Sequence, residues 1–295
     1  MFRMCFHVAK YNFAMQNPIE QRYFINSLAR GLSLLEKMAE AGRPLTLSQI
    51  AKAMEMTLPT AYRFLYTLQA IDLIEKEPDR KAYRISPKVL RLGYGAFKSS
   101  ELWNTAHPHM VRASQDYGET FNLAVLEKDQ ILYIDRVKTQ SILTINLEIG
   151  SKLPAYCTSM GRVLLAWLPI EEARRRLRLN PRKKFTGRTV TDLDKLEAIL
   201  IQIRHSGFAV NNGELAHELY SAAAPIFNRR KKAVAALNMA VNAARHDKDY
   251  LLKVMVPAVV QCADRISSAM GHFKDENSPV SHGAGGLSDN KAQES

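Results

Sequence analysis

"LTLSQIAKAMEMTLPTAYRFLYTL", Leu45 to Leu68, holds two helix starts in close succession. Thr46 stands directly before an apolar-periodic run, and Gln49, at the third position after it, completes a capping box over Leu47–Met54. The turn Glu55-Met56-Thr57 follows. Pro59 then suits the first turn of a further helix, on which Ala61, Phe64, Leu65 and Leu68 recur at helical spacing and face inward. Upstream, a helix begins at Asn26 with Leu28, Leu32, Leu35 and Met38 on one face, and Gly42 stops it. Downstream, Leu73–Lys76 and Ala82–Ile85 alternate around the charged turn Pro78-Asp79-Arg80-Lys81, a β-hairpin. Three helices and a hairpin predict a winged helix-turn-helix, in which the third helix enters the DNA major groove and the wing meets the backbone beside it.

The residue types suit that layout. Thr60, Tyr62, Arg63, Tyr66 and Thr67 fall on the outer face of the third helix, as donors and aromatic edges able to reach phosphates or bases. Ser48, Gln49 and Thr57 at the two helix starts, and Arg80 and Lys81 at the wing tip, complete the candidate contact set. The net charge of +12 points to a polyanionic partner, double-stranded DNA first. Residues 1–98 carry 15 Lys and Arg against 8 Asp and Glu, and the longer remainder 26 against 21, so positive charge is densest in the head. A second basic cluster, Arg174, Arg175, Arg176, Arg178, Arg182, Lys183, Lys184 and Arg188, reads first as a solvated helix face and loop. An extension of the DNA footprint is the alternative.

At 295 residues, 46% of them apolar, the chain has room for two domains with real cores. It has no uninterrupted apolar run long enough for a membrane span. The N-terminus breaks its apolar residues with Arg3, His7 and Lys10, unlike a signal peptide. Three widely spaced cysteines, Cys5, Cys157 and Cys262, fit a reducing cytoplasm rather than a disulfide framework. No Cys and His spacing resembles a zinc site, His107-Pro108-His109 included, so no metal and no cofactor is expected.

Beyond the head, residues 87–118 read as linker helices, "PKVLRLGYGAFKSS" and then Glu101 to Tyr117, closed by Gly118. From about residue 119 the chain alternates strands and helices. Two strands lie in "TFNLAVLEKDQILYIDRV", a third at Ile142–Leu147, and others at Phe208–Val210, Tyr220–Phe227 and Ala233–Val241. Helices fall at Glu171–Leu179, Leu193–His205 and Lys248–Met270. This is an α+β domain with an antiparallel sheet and helices packed on it. The predicted divisions are a flexible arm, 1–25; the winged helix-turn-helix, 26–86; the linker helices, 87–118; the second domain, 119–272; and a polar, Gly- and Ser-rich disordered tail, 273–295.

Within that domain "YCTSMGRVLLA", Tyr156–Ala166, sets a thiol and two hydroxyls before an apolar helix. Three readings are open. Thr158 is a helix cap with Leu164 and Leu165 in the core; or Cys157 or Ser159 is the nucleophile of a hydrolase; or the helix start is the floor of a ligand site. A nucleophile needs a base and an orienting group. His205, His217 and His246 sit in no recognisable motif, and the elbow G-x-S-x-G has Cys157 where its first Gly belongs. The free amides and partial positive charge of a helix N-terminus hold a carboxylate without a charged side chain.

Together with these stretches, "SLARGLSLLEKM", "YRISPKVLRLG" and "GFAVNNGELAHELYSAAAPIF" make the chain resemble the isocitrate-lyase-regulator (IclR) type of bacterial transcription factor over residues 26–271. Its "AYCTSMGRVLLA" and last helix look most like the subgroup controlling protocatechuate, hydroxybenzoate and β-ketoadipate catabolism. The resemblance implies a winged helix-turn-helix, a linker helix and a GAF-like effector domain, working as a homodimer or homotetramer on operator DNA, with a small acidic metabolite as effector. Carried over by motif, the effector residues are Tyr156, Thr158, Ser159, Met160, Asn211, Ser221 and Asn238, with small Thr158, Ser159 and Gly161 letting the ligand approach the backbone. There are departures: Glu55 stands where the family's turn usually has Gly, and Leu58 where a basic residue often precedes the Pro. The first suggests a differently wound turn.

Overall fold

The computed structural model describes residues 22–139 and 147–273, and the chain divides into two compact units at Ser99/Ser100. The expected arm up to residue 21, the expected tail from residue 274, and all of the strand expected at Ile142–Leu147 except Leu147 lie outside the described residues.

The first unit holds α1 (Asn26–Ala41), β1 (Leu45–Thr46), α2 (Leu47–Ala53), α3 (Leu58–Ala70), β2 (Ile74–Glu77), β3 (Ala82–Ile85) and α4 (Val89–Lys98). The capping box forms as its spacing demands: Gln49 N donates to Thr46 Oγ1 at 3.3 Å, and Thr46 N to Gln49 Oε1 at 3.0 Å. Thr57 caps α3, its hydroxyl accepting from Thr60 N at 3.4 Å. The wing is an antiparallel sheet in the order β1-β3-β2, with Glu77 opposite Ala82 across the tip. Leu34, Met38, Ile50, Leu65, Leu68 and Ile74 form the core.

Two expectations change here. The inner face of α1 is Ser33, Leu34 and Met38, with Gly31 against the Phe64 ring, while Leu28 and Leu32 stay 59% and 51% exposed. The apolar residues of α1 fill more than one stripe, and spacing alone does not say which stripe meets α3. The turn before α3, moreover, keeps a left-handed residue: Glu55 has φ 50°. A side chain there costs what a glycine would avoid, about 1 kcal/mol.

The second unit holds α5 (Glu101–Tyr117), β4 (Thr120–Glu127), β5 (Gln130–Val137), β6 (Lys152–Pro154), α6 (Ser159–Ala166), α7 (Ile170–Leu177), α8 (Leu193–Ser206), β7 (Ala209–Asn212), β8 (Leu219–Phe227), β9 (Ala233–Asn242) and α9 (Val256–Ala269). A π-helical turn, Leu251–Met255, leads into α9, where Pro257 has no N–H to give the ladder. The sheet is antiparallel throughout in the order β6-β5-β4-β9-β8-β7.

Both faces of this sheet are covered. Side chains alternate along a strand, so Phe121, Leu123, Ala222, Ile226, Leu237 and Met239 face α5 and α9. Their neighbours Ala124, Ala209, Ala223 and Ala236 face α6 and α8. Alanines on this second face let α6 lie close, and its eight residues are all buried. No helix among the described residues is long and apolar enough to cross a membrane.

Candidate DNA-reading face and effector site

In the first unit α3 buries Ala61, Leu65 and Leu68, which turns Tyr62, Arg63 and Tyr66 to solvent, with Thr60 half-buried at the first turn. The two tyrosine rings lie 6.5 Å apart along the outer face. Arg80 and Lys81 are exposed at the wing tip, where Lys81 has φ 48°. Nearby cations are engaged: Arg84 with Glu75 at 2.7 Å and Lys88 with Asp72 at 3.1 Å. Arg63, Arg80 and Lys81 have no such partner among the described residues. Ser48 and Gln49 are exposed, and Gln49 and Thr57 already hold helix starts.

In the second unit the residues of "YCTSMGRVLLA" sit where β6 ends. Ala155–Cys157 form a 3₁₀ turn and Thr158 caps α6, its hydroxyl accepting from Gly161 N at 3.2 Å and donating to Pro154 O at 3.1 Å. The amides of Ser159 and Met160 begin the helix, which leaves them no intrahelical acceptor. Strand register places Asn211 opposite Ser221, Ser221 opposite Ala240, and Asn238 opposite Asn122. A polar row, stepped by two residues between Ser221 and Asn238, therefore crosses four strands on the face that α6 covers. Ser159 Oγ lies 2.8 Å from Ser221 Oγ, and both are buried. Asn122 Nδ2 donates to Asn238 Oδ1 at 2.7 Å.

The row divides by what each group has left to offer. Asn211 is fully engaged, donating to Cys157 O at 2.6 Å and accepting from Glu214 N at 3.0 Å, so it holds the start of α6 rather than facing an opening. The Tyr156 hydroxyl donates to Lys183 O at 2.5 Å. Met160 is packed in the core. Gly161 has a different task from the one expected: a Cβ there would collide with the backbone of Ala155 and stand 2.6 Å from Thr158 Oγ1, so its smallness serves the protein's own turn. Asn122, which its sequence context did not single out, is 3% exposed and its Oδ1 has no partner. The signal was present as an Asn in the middle of an apolar strand.

A second feature was hidden in the quoted motif itself. Arg162, 3% exposed, donates through Nη1 and Nη2 to the two Glu214 oxygens at 2.5 and 2.7 Å and through Nε to Tyr156 O at 2.8 Å. Glu214 Oε2 also accepts from Val190 N at 3.0 Å. The loop before β8 is thereby locked onto the start of α6.

The description "Bacterial transcriptional regulator IclR C-terminal" matches residues 94–268, and "IclR helix-turn-helix domain" matches residues 27–78. The chain belongs to the IclR family. It is 37% identical over 238 residues to the Pca regulon regulatory protein of Pseudomonas putida, covering 80% of this chain and 81% of that one. The IclR transcriptional regulator of Alicyclobacillus acidocaldarius superposes with TM-score 0.75 at 25% identity, over 84% of this chain and all of that one. An IclR homologue from Microbacterium hydrocarbonoxydans, solved with 4-hydroxybenzoate, shares the fold with TM-score 0.71 at 23% identity, over 83% and 99% of the two chains.

An IclR-family chain is a DNA-binding transcriptional regulator with a ligand-binding C-terminal domain, and the hydrolase alternative falls. The geometry agrees: Cys157 is fully buried, and burial pushes its thiol up to about 12, so it holds its proton at neutral pH. Ser159 faces Ser221, not a base. Much of the basic cluster is engaged within the unit. Arg174 pairs with Glu197 at 2.7 Å, Arg175 and Arg176 both hold Glu172, whose carboxyl they depress to about 2, and Arg182 donates to Thr191 O and Leu177 O. These guanidiniums tie α7 to α8 and to the loop between them.

Proposed function

We propose that this regulator contacts its operator through Thr60, Tyr62, Arg63 and Tyr66 of α3, with Ser48, Gln49 and Thr57 at the helix starts and Arg80 and Lys81 on the wing. Its effector is a small carboxylic acid, aromatic by preference, held between the start of α6 and the polar row of the sheet. The single observation that carries this is Asn122 Oδ1, sealed from water without a partner. A buried, unpaired carbonyl costs about 1–3 kcal/mol, and a ligand hydroxyl would relieve it. The amides of Ser159 and Met160 supply the complementary end, a carboxylate site. Ser159, Ser221 and Asn238 stand between these two ends and would meet the acid, with Tyr156, Thr158, Met160 and Asn211 as surrounding supports. The Pca regulon relative supports an aromatic-catabolism setting.

The working form is a homodimer or homotetramer in the cytoplasm. Leu28 and Leu32 on α1, and Leu90 and Leu92 on α4, at 74% and 66% exposure, supply apolar surface for self-association.

Thermal denaturation of the full chain with benzoate, 4-hydroxybenzoate, protocatechuate and adipate tests the reading. A bound acid at about a hundredfold over its dissociation constant raises Tm by about 5 °C or more. Asn122→Leu removes that rise for a hydroxylated acid. No shift with any of the four, or a shift undiminished in Asn122→Leu, overturns it.

A further inference from the structure

A cavity of about 670 Å³ opens on the other side of the same sheet, at the turn that follows β9. It is lined by Tyr220, Arg245, His246, Asp247 and Tyr250 together with two alanines, Ala243 and Ala244. Tyr220 and Ser221 are successive residues of β8, so their side chains leave the strand on opposite faces: Ser221 toward α6, Tyr220 toward this cavity. The cavity is a wide, open one, separate from the effector site described above.

Its lining is fixed and selectively equipped. Arg245 is exposed, and its guanidinium has no hydrogen bond or salt bridge among the described residues, while its backbone amide is tied to Asn242 O at 3.0 Å. His246 is anchored from behind: Nε2 lies 2.9 Å from Oε1 of Glu119, a carboxylate 4% exposed, and the imidazole stacks on Tyr250 at 3.8 Å between centroids. One oxygen of the Asp247 carboxylate accepts from Tyr250 N at 2.8 Å, a hydrogen bond that draws on its charge. The lining thus combines one uncommitted guanidinium, an anchored imidazole stacked on Tyr250, the Tyr220 side chain and the Asp247 carboxylate.

We propose that this cavity is a second ligand site, for a small planar carboxylate. The carboxylate pairs with Arg245, whose fork of donors matches its two oxygens. The ring or chain of the ligand lies against Tyr220 and the His246–Tyr250 stack. The site reports into the fold through Glu119. This residue holds His246 by its side chain, accepts Ser114 Oγ of α5 at its own carbonyl at 2.9 Å, and precedes Thr120 at the start of β4.

Alanine methyl NMR on the full chain separates this site from the first. Ala243 and Ala244 line the cavity, whereas Ala240 lies opposite Ser221 and Thr120 on the α6 face. Titration with benzoate shifts the Ala243 and Ala244 methyls along a saturable curve. Arg245→Gln weakens that curve about tenfold or more, the loss expected when a charge-assisted hydrogen bond is removed, and leaves any Ala240 response unchanged. Ala243 and Ala244 methyls that stay still through about 10 mM benzoate, or move equally in Arg245→Gln, overturn the second site. An Ala240 response without the other two leaves the first reading standing and defeats this one; the converse does the opposite.

Discussion

The two units handle polar side chains in opposite ways. In the winged head, Tyr62, Arg63, Tyr66, Arg80 and Lys81 stand on the exposed side of their elements and need nothing from the rest of the unit. In the second unit the polar groups around α6 are sealed and lean on one another: Ser159 on Ser221 and Arg162 on Glu214, while Asn122 gives its amide to Asn238 and keeps an unpaired carbonyl. An exposed donor can be removed with a local effect. A sealed one, once removed, leaves its partner unpaired in low dielectric. Substitutions should accordingly cost stability in one unit and DNA affinity in the other.

The largest effect is expected at Glu214→Ala, which strands the Arg162 guanidinium. Chemical denaturation should register a loss of about 3–5 kcal/mol, with much of it recovered in an Arg162→Met/Glu214→Leu double variant. A single variant that costs nothing would break the comparison. Gly161→Ala comes next, because the new methyl meets the Ala155 backbone; overpacking of this kind costs about 1–3 kcal/mol in the same assay. In the head, Arg63→Ala should leave the melting curve in place and weaken operator binding by about 1–3 kcal/mol. Fluorescence anisotropy at two salt concentrations shows whether the loss is confined to the cognate sequence, as base reading requires, or is uniform, as a phosphate contact requires. The smallest change is a gain: Glu55→Gly should stabilise the chain by about 1 kcal/mol, since glycine takes the left-handed turn without strain.

The same contrast governs what the sequence could reveal. The helices of the head were legible because their signals are local. Thr46 meets Gln49 and Thr57 meets Thr60 three residues on, and Pro59 sits in the first turn of its helix. The antiparallel sheet was legible from alternation, and the role of Thr158 as a cap from its place before an apolar run. The Arg162–Glu214 pair was not, because its members are 52 residues apart, nor was the bond between Asn122 and Asn238, 116 apart. Nothing local distinguishes a buried Arg from a surface one. The face of α1 is only half legible for a related reason: of the stripe Leu28, Leu32, Leu35 and Met38, the last two reach the core beside Leu34, and only the position of α3 decides which residues are buried.

The alternation of β8 and β9 has an evolutionary consequence. Ser221, Asn238 and Ala240 can be exchanged without touching Ala222, Leu237 and Met239, which build the layer behind them. The sheet thus carries two independent texts on one backbone, one specifying the fold and one the chemical taste of the regulator. Duplicated genes could rewrite the second and leave the first intact. A single-residue insertion in either strand, by contrast, would swap the two texts at every position beyond it and be lost at once. Diversification of such sensors should therefore proceed by substitution along these strands, with length changes confined to the loops.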